Sequence, residues 1–151
     1  MSLAITLHLL ASVIWVGGMF FAYMALRPVA AQLLEAPMRL TLWAQVFERF
    51  FPYVWGSIII LLLTGLWITF SVLGGMGSAG MHVHTMLMLG IIMMLIFGHI
   101  YFAPFKRLKQ AVETADWAMG GAKLGQIRML IGINLCLGLL VVAIASMGRY
   151  W

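Results

Sequence analysis

A chain of 151 residues that is 64% hydrophobic and only 9% charged cannot bury its apolar side chains in one water-soluble core, so lipid must solvate most of it. The formal charge of +5 does not indicate nucleic acid, because the basic residues flank apolar segments; in that position they set topology and meet anionic lipid. A single cysteine, Cys136, excludes an intrachain disulfide framework and reads as a small packing residue.

Four segments reach the ~20 apolar residues a membrane-crossing helix needs: about 3–26, 52–73, 81–103 and 129–148. The expected fold is all-α, a four-transmembrane-helix bundle forming a single membrane domain over 1–151. Continuous apolar runs exclude the alternation of barrel strands. The first segment lacks a basic leader and runs too long for a cleavable signal, so it is expected to stay as a helix.

On that first span, at about 100° per residue, His8 shares a face with Ala11, Ser12, Trp15, Gly18 and Ala22. Small residues let helices approach closely in lipid, so His8 is expected to look into the bundle. Residues 27–51 then carry Arg27, Arg39 and Arg49 beside Glu35 and Glu48. Pro37 suits a helix start, and Met38, Leu42, Phe47, Phe50 and Phe51 follow a helical stripe, predicting a short interfacial helix between spans 1 and 2. After the second span, residues 74–80 are uncharged and glycine-rich. No strand precedes them, so they read as a tight turn and not as a phosphate loop.

The third span places His84, Met88, Ile91, Leu95 and His99 on one stripe, with His82 about 200° around from His84. His99 lies roughly 22 Å further along the axis and cannot share a centre with His8 and His84. Residues 106–128 carry Lys106, Arg107, Lys109, Lys123 and Arg128 with Glu113 and Asp116. The positive-inside rule puts both basic connections in the cytoplasm, hence an inner-membrane, multi-pass protein with both termini periplasmic. Trp43, Tyr53, Trp55, Tyr101, Tyr150 and Trp151 are expected at the interfaces.

Ionisable side chains at membrane depth mark functional sites. His8 and His84, both near the outer ends of their spans, are the expected ligand pair, with His82 the alternative on the third span. Haem b between them would find room over Ser12, Gly18 and Trp15's face of the first span, and over Gly132, Cys136, Ala143 and Ser146 of the fourth. Arg149 would meet its propionates. Copper would instead draw on His82, His84, Met76 and Met81, with a polar or Met-lined path leading to His99, while for haem His99 leaves a second site open. Composition leaves haem b and copper both open. The partners expected are the lipid bilayer and, for redox work, a quinone or redox protein, with a homo-oligomer also open.

The run His8-Leu-Leu-Ala-Ser-Val-Ile-Trp15-Val-Gly17-Gly18, with Trp55-Gly56 and Thr64-Gly65-Leu66, resembles the copper resistance D (CopD) family of membrane proteins. Met81-His82-Val83-His84 followed by Gly98-His99 resembles the related HemJ-type protoporphyrinogen oxidases, small four-helix proteins described as binding haem b. This resemblance implies His8 as a haem ligand and aligns His82 with the first position of a third-span His-x-Lys. His84 stands where that group has lysine, and no acid lies around Gly132-Ile133-Asn134, so the resemblance leaves porphyrinogen oxidation open. The expectation is a haem b protein of electron transfer or haem-linked redox chemistry, with CopD-like copper uptake or tolerance as the alternative.

Overall fold

The computed structural model describes residues 1–150; Trp151 and the Arg149 side chain lie outside the described set. The chain is 89% helical, without strands among the described residues. Helix α1 (Ser2–Phe21) runs through a π-turn (Ala22–Leu26) into α2 (Arg27–Leu33). After a break at Leu34 and Glu35 comes α3 (Ala36–Ser71), then α4 (Met81–Phe102), α5 (Pro104–Glu113) and α6 (Trp117–Met147), closed by a 3₁₀ turn (Gly148–Tyr150). Four helical stretches are long and apolar enough to cross a membrane.

The segment expected to form a separate interfacial helix is helical, but it is the first part of α3. That helix continues through Pro52 for 36 residues, about 54 Å. Since a hydrocarbon core is ~30 Å thick, α3 projects well beyond it at the charged end. Pro37 and Pro104 sit in the first turns of α3 and α5, where a missing N–H costs no helical bond. Between α3 and α4, Gly74 (φ 79°) and Gly75 (φ 106°) adopt the left-handed backbone that reverses the chain.

The helices pair as two hairpins, α1 on α3 and α4 on α6, with α5 capping α6 at the basic end. An aromatic cluster joins them. Phe97 of α4 stands edge-on to Phe51 (5.1 Å) and Trp55 (5.0 Å) of α3 and to Trp15 (6.4 Å) of α1, and Phe105 of α5 meets Phe51 at 4.8 Å. Trp43 and Trp55 of α3 and Tyr101 of α4 pack against the core cluster, whereas Tyr53 and Tyr150 are exposed. The core is lopsided. In α4 the fully buried residues are Met93, Phe97 and Ile100, so its first half, from Met81 to Ile92, contributes none. In α1 burial starts at Ala11.

Candidate functional site

His8 lies on the buried face of α1, in line with Ala11, Trp15 and Met19. Its Nδ1 is 2.8 Å from the hydroxyl of Thr64 on α3. That hydroxyl donates its only proton to the Ile60 carbonyl at 2.5 Å. Nδ1 must therefore be the donor to Thr64, and in the neutral ring Nε2 keeps its lone pair. This is the arrangement by which a hydrogen bond on one ring nitrogen prepares the other for a metal. Gly65 eases the approach, since a Cβ there would stand 3.3 Å from His8 Cε1.

Helix register decides between the α4 histidines. The buried line of α4 runs through Met93, Phe97 and Ile100, and at 100° per residue His82 falls on it. His84 lies roughly 170° away, on the stripe of Met88, Ile91, Leu95 and His99, all of which are exposed. By register His82 shares the buried line and His84 does not, although both side chains are half-buried; the aromatic and methionine line of α4 is the one that faces the other helices.

The levels of His8 and His82 agree. A Cβ on Gly138 would meet Val16 at 2.9 Å, which sets α1 against α6. From there His8 is eight residues up α1 and Gly148 ten up α6, a mismatch of about 3 Å. Gly148 in turn carries His82, since a Cβ at 148 would lie 2.5 Å from His82 Cβ, and one at 80 would lie 2.8 Å from its ring. Gly80 and Gly148 make room for the His82 side chain, a role that spacing in the sequence did not signal.

The remaining expected residues fall elsewhere. Trp15 is 2% exposed and belongs to the aromatic cluster. Gly18 is covered by the Phe50 ring and Gly132 by the Tyr23 ring, so neither offers flat room for a porphyrin. Cys136 and Ser146 are exposed, because the buried line of α6 runs instead through Ile127, Ile131, Asn134 and Gly138. The Ser12 hydroxyl turns back to the Leu9 carbonyl at 2.8 Å. Met81 is 81% exposed, and His99 is exposed toward the basic end. Arg149 lies outside the described side chains. Among the described residues no three His, Cys, Asp or Glu side chains cluster to hold a metal ion by themselves.

With Gly18 and Gly132 covered by rings, what these elements offer a ligand is the imidazoles themselves. These are one hydrogen-bonded imidazole on α1 and two half-buried imidazoles on α4, beside which α4 has no fully buried side chain. A family model described as copper resistance protein D matches residues 44–147, a stretch that contains Thr64 and both outer histidines of α4 and begins after His8. No curated protein and no solved structure matches the chain.

Proposed function

The chain belongs to the copper resistance protein D family, and on that premise we propose that this multi-pass membrane protein binds haem b, with His8 and His82 as axial ligands. The observation that supports this most directly is the His8 Nδ1 to Thr64 hydrogen bond, which leaves Nε2 bare and aimed by a buried partner. A haem held by two imidazoles would supply electron transfer in preference to oxygen chemistry. A quinone or a redox protein is then the electron partner. His84, on the outward stripe, is not given a ligand role.

Topology follows from charge. Arg27, Arg39, Lys106, Arg107, Lys109, Lys123 and Arg128 lie at the end away from His8, which supports a cytoplasmic location for that end and, on this proposal, a haem near the periplasmic face of the inner membrane.

Protein purified after expression with ample haem should carry a Soret band that His8→Ala abolishes and His82→Ala abolishes or shifts, while His84→Ala leaves it in place. Absence of the band in the unaltered protein ends the haem reading. The family's description favours a second one, copper handled by His82 with outer methionines. Stoichiometric copper, without a Soret band and lost on His82→Ala, would select it.

A further inference from the structure

At the end of the bundle away from His8, three arginines surround one cavity. It measures about 320 Å³ and lies between the π-turn, the start of α3 and the first half of α6. Arg27, Arg39 and Arg128 line it together with the aromatic rings of Trp43 and Phe47, and no carboxylate does. Like charges around an apolar hollow repel one another, and an anion among them relieves that repulsion.

Two of the three are held in place by the backbone. Arg27 Nε donates to the Tyr23 carbonyl at 3.2 Å, with the guanidinium 4.4 Å over the Tyr23 ring. Arg39 Nη1 donates to the Leu34 carbonyl at 3.2 Å. Each guanidinium has five N–H donors, so most remain for a ligand. The π-turn is a second, independent feature of the same place. Its extra residue shifts the register of α1 there, and its Ala22 and Tyr23 both line the cavity. Such turns recur at functional sites. Tyr23 also braces the wall, since its ring lies 3.0 Å from where a Gly132 Cβ would stand.

We infer that this cavity binds a phosphate group, carried by an anionic lipid headgroup or free in solution. Guanidinium forks match phosphate oxygens two at a time, which a single lysine does not. Arg27 follows the first apolar run and Arg128 precedes the fourth, so both sit at headgroup level, where basic pockets between membrane helices take lipid phosphates. The aromatic lining suits the glycerol and first methylenes of a lipid.

The test is native mass spectrometry of the detergent-purified full chain with phosphatidylglycerol, phosphatidylcholine or inorganic phosphate. Arg39→Gln/Arg128→Gln removes two donors. Gly121→Leu adds bulk to the cavity lining while keeping every arginine, and a Cβ at 121 meets nothing within 4 Å. Lys106→Gln/Arg107→Gln removes the same charge from an exposed site outside the cavity. Phosphatidylglycerol should bind the unaltered chain and the Lys106/Arg107 variant, and bind both cavity variants roughly tenfold or more weakly. That pattern with a preference over phosphatidylcholine makes lipid the source. The same pattern with inorganic phosphate alone makes the source soluble. The inference is overturned if no probe binds, if binding survives either cavity variant, or if the Lys106/Arg107 variant weakens it equally.

Discussion

Thr64→Val removes one hydroxyl and keeps the shape, so it isolates the hydrogen bond that orients His8. Thr64 is 9% exposed, and valine holds the same β-branched rotamer in a helix, so packing should survive. Side-chain hydrogen bonds in membrane proteins average about 0.6 kcal/mol and reach about 1.7, so the cofactor-free protein should lose no more than that in stability. Ligand affinity should fall further. Without its acceptor, His8 Nδ1–H is left unpaired, the ring is free to rotate, and Nε2 no longer holds its lone pair in a fixed direction. Removing such a supporting partner lowers metal affinity roughly 10–100-fold. Haem titration followed at the Soret band, paired with thermal unfolding of the cofactor-free chain, separates the two effects. Thr64→Ser should restore both. If Thr64→Val binds haem within threefold of the unaltered chain, the hydroxyl does not prepare the ligand and the tautomer argument fails.

Asn134 donates from Nδ2 to the Met93 carbonyl at 3.2 Å, while its buried Oδ1 has no partner. Asn134→Leu should therefore be neutral or stabilising by up to about 1 kcal/mol, and Asn134→Ala destabilising, as read by thermal unfolding in detergent. Ala115 holds a left-handed φ of 54° in the turn from α5 to α6, where Asp116 N–H reaches the Ala111 carbonyl at 2.8 Å. Ala115→Gly should raise stability by roughly 0.5 kcal/mol, and Ala115→Val should lower it. Phe97→Ala, which empties the centre of the aromatic cluster, should cost about 3–5 kcal/mol, whereas Met86→Ala in the sparsely packed half of α4 should cost under about 1. Equal losses at Phe97 and Met86 would contradict the lopsided core.

The four spans were legible because continuous apolar runs leave a chain no alternative in lipid. The continuity of α3 was not, since Glu48 and Arg49 resemble a connection and Pro52 resembles a start. Yet proline removes only one backbone bond, and a helix packed along its length tolerates the loss. Helix α5 was hidden in the same way: its lysines and arginine look like a loop, although Phe105, Leu108 and Ala111 fall on one helical face and are all buried. Periodicity placed the α4 histidines on two opposite stripes but could not say which stripe turns inward. That choice is made by Phe97 packing on another hairpin, a tertiary fact. Thr64 was within the motif that carried the family resemblance, but its bond to His8 joins residues 56 apart in sequence, and no local pattern announces such a pair.

The division of packing along the bundle accounts for how a ligand site could coexist with a stable fold. A planar group between α1 and α4 needs those helices held apart, yet helices free to move would close on any gap. Phe51, Trp55 and Phe97 resolve the conflict, because interlocked rings set a separation that small residues would not. Beyond them toward His8, α4 contributes no fully buried side chain, so the cluster does most to set the spacing of the hairpins there. At the opposite end α5 covers α6, with Leu108 0% exposed, and supplies the stability the histidine end lacks. If His8 and His82 hold a ligand as proposed, its geometry should therefore depend on rings several turns away.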